Sequence, residues 1–339
     1  MIVEKGRVRA PEIGRVWLNS APLNLRQLRG KVILIDFWDY TCVNCLRTLP
    51  YVQGWHLRYG DMGLVVIGIH TPEFTFAQYE ANVERGIQEF GLTYPIVIDS
   101  NYELWQAFAN RYWPAKYLID KDGYIRYAHF GEGAYAETET QLQNLLREVN
   151  PNAQFPPVMQ PVRDSDVPGA ICYQPTPELY LGHRRGRIGN EGGFIEDETA
   201  NYGFTGDLKD QVFYLRGRWH ASAEYISFVG GEGSIVLRYE AAAVNLVMGS
   251  GEDSPIEVEV LQDGRPLTQA QAPPDVRISK LMTFLRVERP RMYAMVDNHS
   301  FGVHLLELRC KTPGLRAYAF TFTSCVDRAA SAAQSGSAR

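Results

Sequence analysis

Val32-Ile33-Leu34-Ile35-Asp36-Phe37-Trp38 is an apolar run interrupted by a single carboxylate. A strand with one wet face alternates apolar and polar residues, whereas a run without alternation suits a strand covered on both faces. That places it at the centre of a layered α/β sheet. Leu64-Val65-Val66-Ile67-Gly68-Ile69 reads as a second buried strand and Pro95-Ile96-Val97-Ile98-Asp99 as a third. The segments between them, 42–59 and 74–90, read as helices, and Pro50 is expected to bend the first. A short helix over 103–112 stops before Pro114, and Ala115–Ile119 and Tyr124–Phe130 form a hairpin about Asp120-Lys121-Asp122-Gly123. Leu142, Leu145, Leu146 and Val149 then make one helical stripe. Strands separated by helices pair in parallel, and the hairpin adds an antiparallel edge.

Residues 150–177 carry seven prolines and no periodicity, so an extended linker or wrapping segment and a domain boundary are expected there. Beyond it, Gly-rich turns separate short alternating runs, from Gln211–Leu215 to Ala317–Thr323, with no convincing helix. Many short strands indicate an all-β sandwich or jelly roll. The expected division is a redox domain at 1–150, a linker at 151–177, a β-sandwich at 178–326 and a disordered Ala/Ser/Gly-rich tail at 327–339. A net charge of −5 argues against nucleic acid or an anionic membrane as partner. No apolar run approaches the roughly 20 residues of a spanning helix. The opening MIVEKGRVRAPEIG lacks a secretory pattern, so a soluble, cytoplasmic protein is the default expectation.

Five cysteines are too few for a disulfide scaffold in 339 residues. Cys172, Cys310 and Cys325 are scattered and are expected to be inert buried thiols. Cys42-Val43-Asn44-Cys45 is different, because Cys42 follows the first buried strand by four residues and opens the next helix. Only a thiolate attacks a disulfide, and a helix N-terminus favours negative charge through its unpaired N–H groups. Cys45, one turn further on, is placed to resolve the mixed disulfide. A half zinc site and two ordinary buried thiols are the other readings; a structural zinc site usually needs a second close pair, which the remaining cysteines do not supply.

Asp36 lies six residues before Cys42, and Pro50 five after Cys45; this spacing resembles that of the thioredoxins. Trp113-Pro114-Ala115 stands where thioredoxins carry a cis-proline. The longer gap from Cys45 to Pro114 holds an extra strand–helix unit, as in TlpA/ResA-like reductases. Phe37-Trp38-Asp39-Tyr40-Thr41-Cys42-Val43-Asn44-Cys45, His70-Thr71-Pro72-Glu73, Arg111–Ala115, Phe130–Gly133 and Thr176–Gly182 together resemble the soluble region of DipZ-type proteins, over about residues 10–325. DipZ-type proteins also carry a membrane electron-transfer domain ahead of this region, which this sequence lacks. The resemblance implies an α/β thioredoxin fold followed by a jelly-roll domain that looks like a carbohydrate-binding module. It also keeps an extracytoplasmic location open.

A buried Asp36 is expected to take the proton of Cys45; the alternative is a carboxylate satisfied at a strand end. Glu73 matches a glutamate that ResA-like proteins place near their dithiol, where it modulates thiol acidity; otherwise it serves the dipole of helix 74–90. The resemblance implies a cis Trp113–Pro114 bond that presents substrate. Trp38, Tyr40 and Trp113 are candidates for an apolar rim around Cys42, although each aromatic alone is more often core. His70, without a second histidine at metal spacing, suits a supporting role. His183-Arg184-Arg185-Gly186-Arg187 suits a solvated loop, and the aromatic residues of the second domain suit its core.

The expected activity is thiol–disulfide exchange, in the direction of a protein-disulfide reductase, with no metal or other cofactor. Its partners are a protein or small-molecule disulfide and an unidentified electron donor, with a glycan or protein at the second domain. Two alternatives stand beside it. One is a thiol peroxidase of peroxiredoxin type, although the proline three residues before the cysteine is absent. The other is a glycan- or partner-binding protein with an accessory redox domain.

Overall fold

A computed structural model describes residues 9–12, 16–170, 172–251 and 254–325. The chain divides into two units between Val162 and Arg163. The expected tail at 327–339 lies outside the described residues.

The first unit has the order β1 (Val16–Leu18), β2 (Val32–Trp38), α1 (Val43–Tyr59), β3 (Leu64–His70), α2 (Glu80–Glu89), β4 (Ile96–Ile98), α3 (Glu103–Ala107), β5 (Ala115–Ile119), β6 (Ile125–Phe130) and α4 (Tyr135–Val149). Its sheet runs β1-β4-β3-β2-β5-β6. β2 pairs in parallel with β3, and β3 with β4. β5 returns antiparallel to β2, so the start of β5 meets the end of β2, with Phe37 opposite Ala115. Every residue of β2 is buried, as the unbroken run requires.

Alternate residues of β2 serve opposite faces. Ile33, Ile35 and Phe37 enter a core with Ile67, Ile69, Val97, Phe108 and Tyr117. Asp36 and Trp38 therefore share the other face. The hairpin turn is closed by Asp120, whose Oδ1 accepts from the N–H groups of Asp122 and Tyr124, both at 3.0 Å. Gly123, at φ 82°, takes the left-handed conformation that the turn needs.

Three local features depart from the sequence reading. β1 joins the sheet edge as a three-residue strand antiparallel to β4, too short to show alternation. The segment 74–90 is a 3₁₀ turn over Thr75–Gln78 and then α2, because Tyr79 is extended at φ −77°, ψ 120°. Residues 151–162 lie on the first unit: Met159 N–H donates to Glu139, Val162 N–H to the Tyr51 hydroxyl, and the Gln143 amide to Pro156 O.

The second unit contains β7 (Leu179–Tyr180), β8 (Thr199–Tyr202), β9 (Phe213–Ala221), β10 (Ile226–Ser250), β11 (Ile256–Gln262), β12 (Arg265–Pro266), β13 (Val276–Ser279), β14 (Met282–Val287), β15 (Arg291–Cys310) and β16 (Leu315–Thr323). These form one large antiparallel sheet. The expected short runs merge: β10 and β15 are 25 and 20 residues long and pair along most of their length. Register shifts near Gly230 and at Ala241/Ala243 keep the strand continuous where glycines suggest a turn. Trp219, Phe213 and Phe228 join Leu237, Val258, Leu285 and Leu308 in the core.

The expectation of three inert buried thiols holds only for Cys310. Cys172, which is exposed, and Cys325 form a disulfide across 153 residues. The two cysteines also make an antiparallel bridge, supported by the Tyr173 N–H donating to Ser324 O. Among the described residues no helix is long and apolar enough to cross a membrane.

Candidate active site

Cys42 is the N-cap of α1, extended at φ −82°, ψ 111°, and its Sγ accepts a hydrogen bond from the Cys45 N–H at 3.2 Å. That is the bond by which a helix N-terminus stabilises a thiolate. Cys42 is half-buried, Cys45 fully buried, and both are free thiols. Burial pushes the Cys42 thiol up; the Cys45 N–H opposes it, and the Glu73 and Asp39 carboxylates add to it. Cys45 is pushed well up by burial and by its contact with Cys42. Of the two thiols, Cys42 is the more exposed and the one that holds the helix-end hydrogen bond, while Cys45 is sealed and its thiol is held protonated by burial.

Asp36 stands on the Cys45 side of β2, fully buried, with neither carboxyl oxygen hydrogen-bonded to a protein group. Burial raises its pKa to about 7, against the pull of Lys116. Lys116 is its register partner on β5 and is equally buried. The Lys116 Nζ donates to Gly131 O at 3.4 Å and lies 5.8 Å from the Tyr135 ring centroid. Burial lowers its pKa, while Asp36, Cys45 and Glu132 favour its charge. An acid and an amine that each resist ionisation thus lie close enough to Cys45 for their charges to be felt at its thiol.

Three loops meet at this end of the sheet. Asp39, buried after β2, accepts from the Thr41 N–H and hydroxyl, both at 2.6 Å, and from the Glu73 N–H at 2.7 Å. Burial raises its pKa and those three donors oppose the rise. The Trp113 indole N–H donates to Thr71 O at 3.0 Å, and Thr71 N–H to Trp38 O at 3.1 Å. The Trp113–Pro114 bond is cis. The loop before Cys42, the loop with Glu73 and the loop with Pro114 are therefore tied together.

Glu73 is half-buried, and its charge is felt at Cys42. Trp113 is half-exposed and packs against Trp105, ring centroids 4.1 Å apart and tilted by 36°. Trp38 and Tyr40, expected at an apolar rim, are 0% and 3% exposed. They pack on His70, Trp38 by its edge at 5.2 Å and Tyr40 face to face at 5.6 Å, and so back the site instead of facing an incoming chain. Burial lowers the His70 pKa to about 3, which keeps this stack neutral.

Sequence reading missed Lys116 and Asp39. Lys116 looks like an ordinary polar member of an alternating strand until register sets it opposite Asp36. Asp39-Tyr40-Thr41 carries a local signal, a carboxylate two residues before a threonine that it can bond.

The Redoxin family model matches residues 5–146, and the model described as "Thioredoxin like C-terminal domain" matches residues 176–323. Protein DipZ of Mycobacterium tuberculosis is 36% identical over 320 residues, covering 92% of this chain and 42% of that protein. The chain thus spans less than half the length of the DipZ proteins. Thiol-disulfide oxidoreductase YkuV of Bacillus subtilis is 30% identical over 134 residues, 40% of this chain and 90% of YkuV. Thiol-disulfide oxidoreductase ResA of Bacillus thuringiensis is 27% identical over 142 residues, 42% of this chain and 77% of ResA. The half-exposed Cys42 and buried Cys45 at a helix start, above a buried acid, agree with these likenesses, and the chain belongs to the TlpA/ResA/DipZ-like family of thioredoxin-fold thiol–disulfide oxidoreductases.

Proposed function

We propose that this chain reduces disulfides in protein substrates. The Cys42 thiolate attacks one substrate sulfur, forming a mixed disulfide and releasing the other sulfur as a thiolate that takes a proton from solvent. Asp36 accepts the Cys45 proton, and the Cys45 thiolate attacks the Cys42 Sγ. This closes the Cys42–Cys45 disulfide and expels the second substrate thiolate. Two electrons have then passed to the substrate, and a donor must return them to the dithiol. Lys116 steadies the Asp36 carboxylate, and Glu73 moderates Cys42. Pro114 and Trp113 present the substrate, with Trp38 and Tyr40 packed behind.

The observation that carries this reading is the Cys45 N–H bond to Cys42 Sγ above an unbonded, buried Asp36. Relatives named as thiol-disulfide oxidoreductases do not favour the peroxidase and binding-protein alternatives. The test is insulin reduction with dithiothreitol: Cys42→Ser falls to the uncatalysed rate, and turnover that survives it removes Cys42 from the reaction. The reduction potential sets direction, about −270 mV for a reductase and about −120 mV for an oxidant.

The exposed Cys172–Cys325 disulfide supports an oxidising, extracytoplasmic setting over the cytoplasmic default. For residues 178–326 we propose an accessory jelly roll of carbohydrate-binding-module type. A polar cleft of about 440 Å³, lined by Thr176, Asp210, Arg238, Tyr239 and Glu240, is its candidate ligand site. A blank glycan array probed with the full chain removes the glycan and leaves a protein partner.

A further inference from the structure

A buried acid that takes a proton in every cycle must also lose it. Around Asp36, polar atoms without hydrogen-bond partners recur on one face of the sheet: both Asp36 oxygens, the Trp38 indole N–H, the Tyr94 hydroxyl and the His56 Nδ1. Buried polar groups are nearly always satisfied, so several orphans together mark a site where solvent or protons are handled.

The backbone gathers them. Gly68 on β3 is the register partner of Asp36, and its N–H donates to Pro95 O, next to Tyr94. A Cβ at Gly68 would lie 2.9 Å from Tyr94 Cε2 and 3.1 Å from Trp38 Nε1. Only glycine therefore lets the fully buried Tyr94 ring lie against the sheet beside Asp36. On α1, Cys45, Leu49, Val52 and His56 share one stripe, at helical spacing. The His56 ring meets the Tyr94 ring edge-on, with centroids 6.0 Å apart, and His56 is half-buried where Cys45 is sealed.

We propose that Tyr94 and His56 are positioning residues that form the proton exit of the dithiol centre, passing the proton of Asp36 out to solvent under α1. This rests on the reading of Asp36 as the base for Cys45. Asp36 hands its proton to the Tyr94 hydroxyl, internal water bridging where the groups do not touch. Tyr94 releases its own proton towards His56 Nδ1, and His56 gives it to bulk water; each group ends the cycle as it began. The groups that face this path are Asp36 on β2, Cys45 and His56 on α1, and Lys116 on β5 across from Asp36. Burial and the nearby Asp36 and Cys45 push the Tyr94 hydroxyl well up, so it stays a donor. Burial lowers the His56 pKa, so its Nδ1 is free to accept near neutral pH.

The test measures product release over repeated turnovers, because Asp36 must shed its proton before it can serve Cys45 again, and separately the alkylation of Cys42 by iodoacetamide. Tyr94→Phe keeps the ring and removes the hydroxyl, and His56→Ala removes the outlet. Each is expected to slow release by roughly 10-fold or more across pH 6–8, while alkylation stays within about twofold. Added imidazole restores release in His56→Ala, which a merely structural role would not allow. Release at the wild-type rate in either variant, or a loss that imidazole does not relieve, overturns the proposal. If Asp36→Asn is slow while Tyr94→Phe is not, the relay alone fails. If Asp36→Asn releases at the wild-type rate, the reading of Asp36 fails and the relay with it.

Discussion

In the second unit, burying a polar side chain means completing its hydrogen bonds. Asn190 donates to Gly203 O and Leu215 O and accepts from the Leu215 N–H, each at 2.8–2.9 Å. Thr283 accepts from the Leu267 N–H and donates to Val260 O. Gln262 and Asn298 form a closed set with the Tyr239 hydroxyl. In the first unit Asp36, His70, Trp38 and Tyr94 are buried without such bonds, and among the described residues the orphan buried atoms belong to that unit. Unmet polar groups cost stability and are retained where chemistry uses them. The contrast separates a unit that keeps unmet polar groups around its dithiol from one whose buried polar groups are paired, as the proposed proton transfer requires.

The largest change expected from testing this contrast is in the second unit. Replacing Cys172 and Cys325 by serine reopens a constraint spanning 153 residues, which a chain-entropy account values at about 5 kcal/mol. Denaturant unfolding should show a weakened second unit while insulin reduction is unchanged; lost turnover would break the division of labour. Next is Asp36→Asn, expected to lower turnover about 100-fold near pH 7.

Stability moves the other way for that variant. The folded pKa of Asp36 lies near 7 against 3.8. Its stabilising contribution is therefore full below about pH 4 and lost as pH rises through 7. Removing the titration adds up to about 4 kcal/mol above pH 7, less what Lys116 loses with its partner. A wild-type and variant pair with parallel stability curves against pH would refute this.

Asn190→Ala is smaller and of opposite sense. It strands one N–H and two carbonyls and costs about 2 kcal/mol, with the loss read in denaturant midpoint alone. Smallest is Arg26→Ala, whose ion pair with Glu12 sits 80% and 50% exposed; the unfolding midpoint should move by no more than about 0.5 kcal/mol.

What the sequence disclosed follows the same line. The first unit is built from local patterns: β2 from an unbroken apolar run, the hairpin from Asp120–Gly123, and the dithiol from adjacent residues. The groups that complete its site are set by pairing across strands, and pairing leaves no local mark. Lys116 and Tyr94 acquire meaning only when β5 and the start of β4 are laid beside Asp36 and Gly68. In the second unit the glycines near 230 look like a turn, yet they ease a register shift inside one strand. The Cys172–Cys325 bond joins residues 153 positions apart, with no local pattern to pair them.

That bond also imposes an order on biosynthesis. Chains are made from the N-terminus, and Cys325 follows β16, so the bond cannot close until every strand from β7 to β16 has been made. Cys310 emerges 15 residues before Cys325 and is the first cysteine made after Cys172 that it could wrongly take. Its place in β15, 1% exposed, removes it from exchange once the strand is laid down. The oxidised pair thus reports that the strands between its two cysteines have been made and paired.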